Sequence, residues 1–394
     1  MSLPTVDIKR GAERRLRKGH LWVYANELAV APAKLEVEPG QLVALSLNKR
    51  AFGVGYINPG SLIAVRVLDR DPNAQIDEGW FIRRIEQAAA LREGLVDPSY
   101  MRLLHGEADG IPGLVVDRFD QLLVAQSGTA GVDRCRPMIE AALKSLYPQS
   151  ALLWRNQGPA RALEGVDEQI EVAFGEVPER CGVSEHGRRF WFRPFVGQKT
   201  GWYYDQRENR QRIAALASGR RVLDVCSYLG GFAVSCAAAG AQSVLAVDGS
   251  AEALSALAEN AAENGVSERI ETLHGDAFST LVGLFEQGQR FGLVIIDPPA
   301  FIKRRKDADQ GVQAYRRLAS LALRLVEPGG FLASFSCSHL FPRDGLVEAL
   351  ARAAMAGHRR ATIVAELHAG SDHPVHPAMP ETEYLKGLLA RVEA

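Results

Sequence analysis

The chain has 394 residues, 47% of them apolar and 24% charged, which fits a folded protein of two or three domains. A net charge of −1 excludes a globally basic nucleic-acid binder, and no apolar run reaches the roughly 18 residues of a membrane span. Five cysteines (135, 181, 226, 236 and 337) show no paired metal spacing, so no metal is expected and the thiols fit a reducing cytoplasm.

The charge is unevenly placed. Residues 1–70 hold 11 Lys and Arg against 6 Asp and Glu, a balance of +5, which leaves −6 for the rest. The basic run Lys9 to Lys18 is followed at once by His20-Leu21-Trp22-Val23-Tyr24. Arg14, Arg15 and Lys18 beside Trp22 suit phosphate contact with base stacking, although a β-barrel can also bury such a tryptophan. Strand-like runs at Gln41–Leu47, Gly53–Ile57 and Leu62–Leu68 are separated by Pro-Gly, Asn-Lys and Asn-Pro-Gly turns. Residues 1–73 therefore read as a small all-β module. Residues 74–190 read as a central α+β domain. It has helices at Trp80–Leu91 and Val132–Leu146 and a hairpin of Leu114–Asp117 with Leu122–Gln126. Glu107 and Asp109, in the loop His105–Pro112, are expected to cap that loop.

Residues 191–394 read as an open α/β domain. Arg221–Val225 is a short strand that ends in the turn Ser227-Tyr228-Leu229-Gly230-Gly231. A helix, Phe232 to Ala239, and a second strand, Ser243–Val247, follow, and Asp248 stands at that strand's carboxyl end. Ligands of open α/β sheets bind outside the carboxyl ends of the strands, where an acidic residue grips a ribose. The turn lacks G-x-G-x-x-G, and Asp224 would repel a pyrophosphate, which argues against a dinucleotide. It suits S-adenosylmethionine, whose ammonium and sulfonium are positive. Asp276, after the strand Ile270–Leu273, is expected to accept from an adenine amine, with Phe278 on the ring and Ala277 between them. Upstream, the polar stretch Gly197 to Arg210 adds Lys199, Thr200, Gln206 and Arg207 as cofactor contacts.

The strand Gly292–Ile296 ends in Asp297-Pro298-Pro299-Ala300-Phe301, a rigid turn that can hold a flipped base, and Lys303, Arg304, Arg305 and Lys306 follow to hold phosphates. Cys337 stands between two serines at the end of the next strand, Phe331–Phe335. A thiolate that adds to C6 of a pyrimidine makes C5 nucleophilic, so Cys337 reads as the nucleophile and Asp297 as the group that holds the ring. The base that removes the C5 proton is open between Glu381, the first choice, Glu383 and His339.

The segments KGHLWVYANEL, HGEADGIPGLVVDRFD, GQKTGWYYDQRENR, VLDVCSYLGGFAV, DPPAF, SCS and PETEYLKGLL together resemble the bacterial large-subunit rRNA cytosine-5 methyltransferases with an N-terminal PUA domain. The resemblance implies a PUA barrel, a central α+β domain and a Rossmann-like class I methyltransferase domain with a seven-stranded sheet. It also implies S-adenosylmethionine as cofactor, large-subunit rRNA as partner and room for a homodimer. By that match Asp224, Asp248 and Asp276 contact the cofactor, as do Ser227, Tyr228, Gly230 and Asp297 around them, and Cys337 is the nucleophile. Position 300 is Ala where the family often has Lys, and the DPPAF turn lacks the second cysteine of another cytosine-5 branch. Two rivals remain: an amino-group methyltransferase acting through Asp297 and Phe301, and a non-catalytic RNA-binding assembly factor. A nicotinamide dehydrogenase is a third and poorer reading, because the phosphate loop is absent.

Overall fold

The computed structural model describes residues 3–198, 200–302 and 304–394 and divides into two units. The first comprises residues 1–181, 193–202 and 371–382, and the second comprises 182–192, 203–370 and 383–394. Among the described residues no helix is long and apolar enough to cross a membrane.

Two sheets build the first unit. One contains β1 (Thr5–Ile8), β2 (Trp22–Val23), β3 (Gln41–Leu47), β4 (Arg50–Ile57) and β5 (Val65–Asp69) in the order β1-β3-β4-β5-β2, with helix α1 (Glu13–Arg17) between β1 and β2. Its core is aliphatic (Ile8, Leu16, Val23, Val43, Leu45, Ile57, Val65), and Met379 joins it from the far end of the chain. Trp22 packs only partly against this core. The strand expected from Leu62 begins later, at Val65: Leu62 is 83% exposed, and burial becomes continuous only from Ala64 to Leu68.

The second sheet has the order β10-β9-β8-β7-β6, with β6 (Tyr100–His105), β7 (Leu114–Phe119), β8 (Leu122–Ser127), β9 (Ala151–Asn156) and β10 (Gln169–Phe174). Helices α2 (Glu78–Leu91) and α3 (Ala130–Leu146) bury Trp80, Phe81, Ile85, Val132 and Ile139 in the core of this sheet. Side chains cap both helices: Asp77 accepts from Trp80 N and Thr129 from Val132 N. A short helix, α4 (Pro159–Glu164), precedes β10. Tyr56 of β4 also enters this core, and a Cβ at Gly131 would sit 2.0 Å from its ring, so α3 can approach only with glycine there.

The second unit holds the hairpin β11 (Cys181–Glu185) and β12 (Arg188–Phe192), less its first residue, and helix α5 (Arg207–Ala214). Its sheet has seven strands, as expected: β13 (Arg221–Val225), β14 (Ser243–Asp248), β15 (Ile270–His274), β16 (Phe291–Ile296), β17 (Val326–Ser336), β18 (Ala361–His368) and β19 (Lys386–Val392), in the order β15-β14-β13-β16-β17-β19-β18. β13 to β17 are parallel, and β19 is antiparallel to both of its neighbours. β16 is buried at every residue, as a central parallel strand requires. Helices α6 (Gly231–Ala238), α7 (Ala251–Glu263), α8 (Ala277–Glu286), α9 (Ala308–Leu325) and α10 (Arg343–Ala356) connect the strands. In α9 the buried residues Gly311, Tyr315, Leu318, Ala319, Ala322 and Leu323 recur at helical spacing.

Candidate active site

The second unit's sheet presents its chemistry along one edge. β13 ends at Val225 just after Asp224, β14 ends at Asp248, β16 runs into Asp297, and β17 runs into Cys337. These strands are parallel, so their carboxyl ends share that edge. β19 runs the other way and places its first residue, Lys386, at the same edge opposite Ser336. β14 and β16 flank β13 on opposite sides, and this reversal of strand order is where open α/β sheets bind ligands.

The turn after β13 is held in an unusual shape. Cys226, Tyr228 and Gly230 have φ of 63°, 49° and 84°, a conformation that two of these residues adopt only because the surroundings impose it. Asp248 fixes the turn, with Oδ2 accepting from Tyr228 N at 2.8 Å and Oδ1 from Ser250 N at 2.9 Å. Asp224 is fully buried, and its Oδ2 accepts from Ala233 N at 3.0 Å. Its Oδ1 and the buried Ser227 Oγ have no hydrogen-bond partner among the described residues. Burial, then the charge of Asp297, push the Asp224 carboxyl up to about 8. The site thus withholds solvent from an acid that a bound cation would satisfy.

Asp276 is exposed and caps α8: its Oδ1 accepts from Phe278 N and Ser279 N, each at 3.0 Å. Ala277 opens that helix. Phe278 is half-buried, with its ring centroid 6.0 Å from that of Phe301 and Arg317 over its face at 5.1 Å. Gln206 donates through Nε2 to Asp297 Oδ2 at 2.9 Å and is itself fixed by Asn209 at 2.7 Å.

Two residues expected as cofactor contacts have partners within the protein. Arg207 is buried with its guanidinium over the Tyr204 ring and 3.9 Å from Glu185, which Arg210 also pairs at 2.6 Å. A buried carboxylate draws both arginines because neither charge could otherwise leave water. Thr200 is fully buried in the first unit, where its hydroxyl donates to Asp117 at 2.5 Å. Lys199 and Lys303 lie outside the described residues.

Around Cys337 the packing is polar. Cys337 is partly buried between the buried serines 336 and 338, whose hydroxyls both bond Tyr315 Oη at 2.8 Å. Lys386 Nζ donates to Ser338 O at 2.9 Å. Tyr203 packs edge-on against Tyr228 at 5.3 Å, and burial, then the charges of Tyr228, Asp205, Asp297 and Cys337, hold its phenol well above the usual range. The His339 ring lies 5.7 Å from that of Tyr384, which donates to Asp205. Glu383 Oε1 is 3.5 Å from His368 Nδ1. Glu381 belongs to the first unit, in the turn Pro380–Thr382, with Oε1 4.0 Å from His20 Nε2.

The basic residues divide as well. Arg14 and Lys18 are exposed, as are Arg304, Arg305 and Lys306. Arg15 is spent locally, bonded twice to Glu27 at 2.6 and 2.8 Å and set 4.9 Å over the Tyr24 ring. Trp22 donates its indole N–H to Glu107 at 2.9 Å, and Asp109 pairs with Arg92 at 2.7 Å, both side chains buried. The loop acids are thus structural, as expected.

Comparison with known proteins agrees with this geometry. An S-adenosylmethionine-dependent methyltransferase family model matches residues 161–391, and a PUA-like domain model matches residues 6–70. The chain belongs to the S-adenosylmethionine-dependent methyltransferases. It is 34% identical to ribosomal RNA large subunit methyltransferase I of Cronobacter sakazakii, over 98% of both chains. Its fold is also that of a Streptococcus mutans chain assigned as SAM-dependent methyltransferase, at TM-score 0.84 and 18% identity, over 99% of this chain and 100% of that one. A second methyltransferase structure, complexed with SAH, aligns at TM-score 0.84 and 19% identity over the same shares.

The methyltransferase's cofactor is therefore S-adenosylmethionine, and the two orphaned buried atoms, Asp224 Oδ1 and Ser227 Oγ, fit its polar end. Reading the sequence missed Tyr203, Tyr315 and Lys386. Tyr203 stands inside the polar GQKTGWYYDQRENR stretch, but only the fold shows that it meets Tyr228. Nothing in the spacing of Lys386 signals that its strand runs back to the edge that carries Cys337.

Proposed function

We propose that this methyltransferase transfers a methyl group to C5 of a cytosine in large-subunit rRNA, with Cys337 as the nucleophile. The observation that carries the reading is the partly buried Cys337 just after β17, on the strand edge shared with Asp224, Asp248 and Asp297. The rRNA substrate is supported by the name of the full-length relative. Residues 1–73 are proposed as the RNA-binding PUA domain, 74–190 as the central domain and 191–394 as the methyltransferase domain, in the cytoplasm.

In this reading Asp224 and Ser227 face the amino-acid end of the cofactor, Asp248 its ribose, and Phe278 its adenine. When bound, S-adenosylmethionine supplies an electrophilic methyl on a sulfonium. Cys337 forms a bond from sulfur to C6, and the electron pair of the C5–C6 bond becomes available at C5. Asp297, oriented by Gln206, holds the polar edge of the flipped base. C5 then takes the methyl that the sulfonium supplies, with the electron pair of the broken sulfur–methyl bond left on sulfur as a neutral thioether; a base takes the C5 proton, the C5–C6 double bond re-forms and the thiolate leaves. Glu381, Glu383 and His339 are the candidate acceptors. The acceptor's variant (Glu381→Gln, Glu383→Gln or His339→Ala) will accumulate covalently linked RNA on denaturing gels. A variant of a bystander will not.

The deciding test uses labelled S-adenosylmethionine and undermodified large-subunit rRNA, with wild type beside Cys337→Ala. 5-Methylcytosine from the wild type and none from the variant is expected. Methylation that survives in Cys337→Ala would sink the thiol mechanism and favour amine methylation through Asp297 and Phe301. RNA binding without any methyl transfer would leave an RNA-binding assembly factor.

A further inference from the structure

We infer that Lys386 is the cationic partner that holds the Cys337 sulfur as thiolate before it meets the substrate. The inference rests on the reading of Cys337 as nucleophile, and it concerns a residue to which that reading gives no role. The geometry is set by strand direction. Lys386 is the first residue of β19 and pairs with Ser336, the last residue of β17. Its side chain reaches forward along β17, and Nζ donates to the carbonyl of Ser338 at 2.9 Å. The Lys386 side chain therefore runs from beside residue 336 to residue 338, with Cys337 between them in the chain.

One hydrogen bond to a carbonyl leaves an ammonium with two further N–H donors. Lys386 is half-buried, and burial lowers its basicity, an effect that the charges of Cys337 and Glu383 oppose only in part. The coupling is reciprocal: what the thiolate gives the ammonium, the ammonium returns to the thiolate. Other titratable groups among the described residues also bear on the sulfur. Tyr203 and Tyr315 are both pushed above their ordinary range by burial and, in smaller part, by the charge of Cys337, so they stay neutral. Asp297, at the end of β16, and Glu383, before β19, bring negative charge, and the exposed His339 is two residues along. Lys386 offsets these acids. The thiol proton leaves to water, Lys386 keeps its own, and the pair carries no net charge. Lys386 acts through Cys337 and is a positioning residue.

The test follows the rate of Cys337 alkylation by iodoacetamide against pH, read by mass spectrometry of the Cys337 peptide in the full-length protein. Wild type is compared with Lys386→Met and Lys386→Arg. The methionine variant is expected to need about one pH unit more alkali for half-maximal reactivity, a roughly tenfold loss of rate at pH 7, and the arginine variant to stay near wild type. Coincident wild-type and methionine profiles would overturn the proposal. A second measurement needs no variant. Capping Cys337 with iodoacetamide removes the negative charge, so Lys386 in the wild-type chain must acylate at lower pH after capping than before. An unmoved Lys386 profile overturns the pairing even where the methionine variant does not fold. Both readouts are independent of RNA. They can succeed while 5-methylcytosine formation fails, which separates this inference from the proposed reaction.

Discussion

Asp224 shows how one buried atom can commit a site to a charge. Its carboxylate is enclosed, half-satisfied by Ala233 N, and pushed up to about 8 by burial first and the Asp297 charge second. A raised carboxyl holds its proton in the free protein at pH 7 and must release it to meet a cation. The sign for folding follows. The folded value lies above the unfolded one near 3.9, so the group costs stability as pH rises from about 4 to about 8, with no further change above. S-adenosylmethionine binding at pH 7 is therefore expected to release close to one proton from wild type and almost none from Asp224→Asn. Titration calorimetry in buffers of different ionisation enthalpy measures that number directly. Equal release from the two proteins would remove Asp224 from the cofactor contacts. The asparagine variant without cofactor should also unfold at a higher temperature than wild type at pH 8, because no buried charge remains to be ionised.

At the scale of elements, the turn from β13 into α6 is the most constrained connection in the sheet. Gly230 has φ 84°, and a Cβ on it would lie 2.5 Å from Leu257 Cγ on α7. Gly230→Ala thus combines backbone strain with overpacking, at a cost of roughly 2–4 kcal/mol. Leu257→Ala alone opens a cavity and costs a similar amount. In the double variant the shortened side chain makes room for the new methyl, so the two costs add to less than their sum by about 1–2 kcal/mol. Denaturant titration of the four proteins gives that coupling, and strict additivity would show that the strain is in the backbone alone. The turn itself was legible in the sequence, as were the five parallel strands of this sheet, because short apolar runs recurred at βα spacing and four of them ended near glycine or acid. Helices α8, α9 and α10 drew no attention beside the loop motifs that precede them. β1 and β6 escaped because four and six residues next to charge carry little alternation. The acids that line the carboxyl edge of the sheet were legible at Asp224, Asp248 and Asp297, at or beside the strand ends. The arginines were not. Lys199, Arg207 and Arg210 look alike in sequence, yet the structure turns Arg207 and Arg210 onto Glu185 of β11, far back in the chain. Partner choice of this kind depends on tertiary neighbours that no local window contains.

For the whole molecule, a net charge of −1 cannot draw an RNA, so attraction must come from local clusters. The sequence offers two, and the structure sorts them residue by residue. Arg304, Arg305 and Lys306 are exposed just before α9, and none forms an ion pair among the described residues. Arg14 and Lys18 are exposed on and after α1, while Arg15 is neutralised by Glu27. A phosphate gains little from an arginine whose charge is already matched. Each unmatched charge that meets a phosphate instead displaces a counterion and steepens the dependence of affinity on salt. Replacing Arg304, Arg305 and Lys306 with alanine is therefore expected to lower the slope of log affinity against log salt by about 2 for single-stranded rRNA. Arg14→Ala with Lys18→Ala should lower it by roughly 1.4, and Arg15→Ala should leave it near its starting value. Filter binding to an rRNA fragment between 50 and 200 mM salt, roughly the range over which such slopes are read, tests all three together. Cofactor binding, measured in parallel, serves as the control that each variant is folded. An unchanged slope in the first two variants would place the RNA on a surface other than these two clusters. A large drop in Arg15→Ala would mean that the Glu27 pair opens when RNA arrives.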